Sequence, residues 1–174
     1  MFSDVLKAAG VFFAAVVLQA AIVSAVEPGG GTADLVLVTL TAAALLRGAV
    51  FGAAAGFYAG FLLDAASLET LGLSSLLLTL AGYWIGRYGE TTGRDRAHAP
   101  LLAIAVVTVL YAFGTLGMHY LLGDAVSARA GLVEALPAQI VLNLVLTVPV
   151  YALTRRIFTR PGARLALEVE FGTR

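Results

Sequence analysis

The sequence predicts an all-α integral membrane protein, built as a six-helix transmembrane bundle. Hydrophobic residues make up 60% of the 174 residues, and charged residues make up only 13%, against about 25% in soluble domains. The mean hydropathy is +0.92. The apolar residues are gathered into six runs, which are separated by charged, proline-containing or glycine-containing sequences. Together these observations predict a chain that crosses a lipid bilayer several times.

Composition and motifs also exclude several functional classes. The formal net charge is zero, so no basic excess is available to hold nucleic acid. There is no cysteine, and therefore neither a disulfide framework nor a thiolate metal site. None of the common hydrolase, nucleotide-binding or metalloprotease motifs occurs. The two histidines, His98 and His119, fall on opposite sides of the membrane in the topology predicted below. We therefore expect no enzyme activity, no cofactor and no metal.

The first span covers residues 5–26, and its 22 residues are enough to cross a hydrocarbon core of roughly 30 Å. A signal peptide is disfavoured because the run is too long and further apolar segments follow. Glu27, Pro28 and a glycine triplet end this span. The remaining spans are predicted at residues 32–46, 49–63, 71–85, 100–122 and 133–153. The transmembrane domain then covers residues 1–156, and a cytoplasmic tail covers residues 157–174.

The number of spans follows from the distribution of basic residues. Residues 32–63 fit either two short spans or one kinked span. Six spans with a cytoplasmic N-terminus place ten of the eleven basic residues inside and only Arg129 outside. Five spans would instead leave the arginines of the tail on the outer side, against the preference of basic residues for the cytoplasmic side. We therefore expect six spans with both termini in the cytoplasm.

Glycine recurs at every fourth position where the third span begins and along its length. Residues four apart share one helix face, so the repeat predicts a smooth groove that continues to a carboxylate. Small residues allow close helix packing in lipid, whereas an acid inside a membrane marks a functional site by default. We expect helix packing or partner binding, and a ligand or ion site at the carboxylate stays open as the alternative. The stripe consists of Gly48, Gly52, Gly56, Gly60 and Asp64.

The sixth span carries a second stripe, which is polar. Gln139, Asn143 and Thr147 recur every four residues along an otherwise apolar helix. Amide groups in hydrocarbon must find hydrogen-bonding partners, so this face is expected to point into the bundle or toward another protein. Hydrogen bonding between helices is the first interpretation, and lining of a ligand pocket is the second.

The tail changes from a helical period to an alternating one. Apolar and other side chains alternate over residues 165–171, which is a strand pattern. A single strand is unstable alone, so it either pairs with an edge supplied by a partner or stays disordered.

Four short motifs together resemble the MreD family of rod shape-determining membrane proteins. The motifs are Asp34-Leu35, Leu46-Arg47-Gly48, Leu62-Leu63-Asp64 and Leu71-Gly72-Leu73. The resemblance in size and layout covers nearly the whole chain, and its diagnostic part covers residues 34–82.

This resemblance implies a non-enzymatic scaffold subunit of the bacterial cell-elongation complex, which synthesises side-wall peptidoglycan. It implies contact with MreC, within a complex that also contains RodA, a class B penicillin-binding transpeptidase and MreB. It further implies the bacterial inner membrane and a fold similar to the substrate-binding components of ECF transporters. That likeness supplies the alternative function, a vitamin-binding component in which Asp64, Gln139 and Asn143 line the pocket.

Overall fold

The described residues are entirely helical apart from turns and short connections. The computed structural model describes residues 2–21, 32–67, 71–92, 98–123 and 130–158. These residues form six α-helices, and a π-helix, Ala130–Ala135, directly precedes the last of them. The α-helices are α1 (Phe2–Ala21), α2 (Leu35–Arg47), α3 (Ala49–Ser67), α4 (Leu73–Thr92), α5 (Ala99–Leu122) and α6 (Leu136–Phe158). The predicted all-helical class is confirmed.

Three helices of the described residues are long and apolar enough to cross a membrane. They are Ala49–Ser67, Ala99–Leu122 and the continuous helical stretch Leu132–Phe158. The third span was predicted to be short, but α3 has 19 residues because the helix continues through Asp64 to Ser67. Similarly, α4 continues past residue 85 to Thr92. Crossing of the membrane by all six helices stays a prediction.

The short helix α2 lies at the centre of the bundle. It packs against each of the other five α-helices, and its eleven residues from Leu35 to Leu45 are all buried. A helix that is apolar on every side is stable only when it is surrounded by other apolar elements. With 13 residues, α2 extends only about 20 Å, so both of its ends need polar partners inside or near the bundle.

The turn between α2 and α3 is a single glycine. Gly48 has a φ of 93°, and its backbone N–H donates a hydrogen bond to the Ala44 carbonyl at 2.8 Å, which ends α2. This left-handed backbone conformation strains residues that carry a Cβ. Beside the turn, the Arg47 guanidinium lies 5.2 Å from the centre of the Phe51 ring and 5.7 Å from that of Phe158. These cation–π contacts join the turn to the C-terminal end of α6.

Residues 22–26, the last part of the predicted first span, lie outside the described residues. So do residues 165–171, which carry the predicted strand pattern.

Candidate functional site

The predicted glycine stripe is only partly a helix face: Gly52, Gly56 and Gly60 lie on α3 and face α4, whereas Gly48 forms the turn before α3. The contact between α3 and α4 is the most extensive helix contact of the bundle. A Cβ atom added at Gly52, Gly56 or Gly60 would collide with backbone atoms of α4. The approach is mutual, because a Cβ at Gly82 would collide with the backbone of Gly52. The two helices are therefore packed backbone to backbone, an arrangement that only small residues permit. The α4 side of this contact includes Ser75, Leu78, Gly82 and Gly86.

Asp64 lies near the C-terminal end of α3, at one end of this contact, and caps the N-terminus of α4. The residue is 1% exposed. Its Oδ2 accepts hydrogen bonds from the backbone N–H groups of Gly72 at 2.8 Å and Ser75 at 3.4 Å. Its Oδ1 accepts from the N–H of Ser74 at 3.1 Å. The first amides of a helix have no partner within the helix, and a carboxylate there also interacts favourably with the helix dipole.

At the opposite end of the contact, a side chain of α4 caps the N-terminus of α3. Glu90, near the end of α4, accepts a hydrogen bond at its Oε1 from the backbone N–H of Ala49 at 2.9 Å. The same oxygen lies where a Cβ of Gly48 would be, so the glycine at the turn makes room for the cap. The antiparallel pair α3–α4 is thus a reciprocally capped hairpin, in which an acid near the end of each helix satisfies the start of the other.

Asn143 connects three helices through its side chain. It is fully buried, and its Oδ1 accepts a hydrogen bond from the backbone N–H of Asp34 at 2.8 Å. Its Nδ2 donates to the Thr108 hydroxyl of α5 at 3.0 Å. Thr147 is also buried, but its hydroxyl donates to the Asn143 carbonyl of the same helix at 2.6 Å. Gln139 is half-buried, one turn before Asn143.

Two further side chains complete the N-terminus of α2. The Asp34 carboxylate accepts a hydrogen bond from the N–H of Leu37 at 2.8 Å, which is N-cap geometry. Gln19 of α1 accepts at its Oε1 from the N–H of Leu35 at 2.6 Å and donates from Nε2 to the Ala33 carbonyl at 3.3 Å. The central helix therefore starts inside a polar cluster to which α1, α5 and α6 contribute.

The structure separates the predicted residues into two sites. The glycine stripe and Asp64 belong to the α3–α4 hairpin, whereas Asn143 belongs to the cluster at the start of α2. Sequence reasoning assigned no role to Gln19, Thr108 or Glu90. A spacing signal existed only for the glycines of α4, since Gly82 and Gly86 repeat the four-residue period of α3.

At both sites the polar side chains bind other parts of this chain. The buried side-chain nitrogen and oxygen atoms of the described residues all have hydrogen-bond partners, and the acceptor atoms of Asp64 and Asn143 are directed at backbone amides. Within the described ranges, no group of three or more His, Cys, Asp or Glu residues is placed to hold a metal ion. These contacts give no support to the vitamin-binding alternative.

Comparison with known proteins adds the family. Neither the curated proteins nor the solved structures gave a match, so the predicted likeness to ECF substrate-binding components stays a prediction. A family model described as "rod shape-determining protein MreD" matches residues 5–157. The matched region contains the capped starts of α2, α3 and α4 and the whole glycine contact. The chain therefore belongs to the MreD family of rod shape-determining proteins.

Proposed function

We propose that this protein is a non-enzymatic scaffold subunit of the bacterial cell-elongation complex and that it binds MreC in the inner membrane. The observation that carries the proposal is the family match over residues 5–157, because the family has a role in determining rod shape. The associated partners are RodA, a class B penicillin-binding transpeptidase and MreB.

The geometry supports a scaffold because its polar groups are used to fix helices relative to one another. The reciprocal caps of Asp64 and Glu90 and the glycine contact hold α3 and α4 together. Asn143 joins α5, α6 and the start of α2. A bundle with backbone-to-backbone packing and internal caps has few alternative arrangements, which suits a protein that presents a constant surface to its partners.

Copurification from native membranes tests the proposal. Tagged wild-type protein should recover MreC, as detected by mass spectrometry. Gly56→Leu should reduce that recovery, because a large side chain forces α3 and α4 apart. Gly117→Leu is the matched control, since a Cβ at Gly117 meets nothing within 4 Å. Absence of MreC from the wild-type sample, together with a tightly bound vitamin, would refute the scaffold assignment.

The proposed topology has a separate test. Cysteines introduced at Gly30, Ser67 and Ser127 should react with an impermeant thiol reagent added from outside. Cysteines at Thr92 and Thr159 should react only after the membrane is opened. Reaction of the Thr159→Cys variant from outside would eliminate the six-span arrangement with cytoplasmic termini.

A further inference from the structure

An apolar groove of about 340 Å³ runs between α4 and α5. Its walls consist of leucine, valine, isoleucine and alanine side chains together with Trp84, Tyr88 and Tyr111. Its volume falls within the range of small-molecule sites, roughly 300 to 1,000 Å³. Several of the lining side chains are open to the surroundings of the protein, including Trp84 at 65% and Leu110 at 62% exposure.

The length of the groove along the helices is about half the thickness of a membrane's hydrocarbon core. On α4 it extends from Leu77 to Tyr88, which is about 16 Å at the helical rise per residue. Half of a hydrocarbon core is about 15 Å. On α5 the groove ends at Tyr111, about halfway along this helix. Leu77, near the start of α4, closes it there, since its Cδ2 would be only 2.8 Å from a Cβ added at Gly114. The groove is therefore long enough for one extended apolar chain that covers about half the thickness of a hydrocarbon core.

The other end of the groove opens beside cationic and polar side chains. Arg87 lies three residues after Trp84 on the same edge of α4, and its side chain is 59% exposed. His98 is exposed one turn before Leu102, which lines the groove on α5. Among the described residues, the acid at this end is Glu90, whose carboxylate pairs with Arg87 at 3.5 Å and also accepts a hydrogen bond from the Ala49 amide. The Arg87 guanidinium has five donors, and its contact with Glu90 uses only part of them.

We propose that the groove binds one acyl chain of an anionic phospholipid whose phosphate lies near Arg87. This inference rests on the embedding of the bundle in a membrane and does not depend on MreC. Two observations favour a lipid over a partner helix. A transmembrane helix needs a surface that runs through the full core of roughly 30 Å, whereas this groove is only about 16 Å long on α4. Helix partners also use small residues and polar contacts, whereas large apolar side chains dominate this lining.

Trp84 provides a direct measurement because it is the single tryptophan of the chain. The full-length protein is reconstituted into phosphatidylcholine vesicles, and part of the lipid is replaced by a brominated lipid, which quenches tryptophan fluorescence on contact. One series contains brominated phosphatidylglycerol, and the other contains brominated phosphatidylcholine with the same chains. We expect phosphatidylglycerol to quench Trp84 at a lower mole fraction than phosphatidylcholine.

Two variants with matched controls locate the effect. Val106→Phe fills the groove and should abolish the difference between the two lipids, whereas Val145→Phe, at a 67% exposed position of α6, should preserve it. Arg87→Gln should reduce the preference for phosphatidylglycerol roughly fivefold, the contribution of one basic residue near an anionic lipid surface. The matched charge control is Arg155→Gln, at an exposed position near the end of α6, which should leave the preference unchanged.

Equal quenching of the wild type by both lipids would overturn the proposal. So would a preference that survives both Val106→Phe and Arg87→Gln. If the lipids quench equally and a co-reconstituted single-span protein shields Trp84, the groove is a docking site for a protein helix instead.

Discussion

Replacing Gly56 by alanine tests the backbone-to-backbone packing of α3 and α4 with a single methyl group. That methyl group would collide with the carbonyl oxygen and carbon of Leu78, and backbone atoms of a packed helix cannot rotate away as a side chain can. Overpacking of this kind costs about 1 to 3 kcal/mol. The same substitution also gains about 1 kcal/mol of helix propensity, so the steric cost must be separated from this gain.

Gly117→Ala provides that separation. Gly117 lies within α5, and an added Cβ there meets nothing within 4 Å, so only the propensity gain applies. The two variants should therefore differ in free energy of unfolding by about 1 to 3 kcal/mol, with Gly56→Ala the less stable. Denaturant titration in mild detergent, followed by loss of helical circular dichroism, measures both. Equal stabilities, or a Gly56→Ala protein more stable than Gly117→Ala, would refute close packing at this position.

Three further predictions use the same titration. Asp64→Ala should cost about 3 kcal/mol or more, because it leaves three backbone amides of the α4 start without an acceptor. Ser67→Ala, at an exposed site, should stay within about 0.5 kcal/mol of the wild type, and equal losses would count against the cap. Asn143→Ala should cost about 2 to 4 kcal/mol of stability, because two interhelical hydrogen bonds are lost. Gln139→Ala should cost clearly less, and the reverse order would contradict the connection of three helices by Asn143. Glu90→Ala should cost about 0.5 to 2 kcal/mol as a lost helix cap, and an unchanged stability would show that its bond to α3 contributes nothing.

Part of the candidate site was predictable because periodicity along a helix is a local property. The four-residue spacing of Gly52, Gly56 and Gly60 specifies one face whatever that face contacts, and the structure places α4 against it. The spacing of Asn143 and Thr147 likewise specified one face, and both residues are buried.

The partners of these faces were not predictable because they depend on contacts between residues distant in sequence. Asn143 hydrogen-bonds to Asp34, 109 residues earlier, and to Thr108, 35 residues earlier. Glu90 lies 41 residues from the amide that it caps. No spacing rule relates such positions, since each pairing arises only when the helices have been arranged around α2.

The sequence by itself determined that this chain is helical, strongly apolar and matched by the MreD family over residues 5–157. Composition and helical period are sufficient for those conclusions because they act within one segment at a time. Only the tertiary structure decided that α2 is the central helix and that α3 and α4 cap each other. The physical reason is that a buried backbone amide requires a hydrogen-bond acceptor. Which side chain supplies that acceptor is set by the packing of the helices in three dimensions.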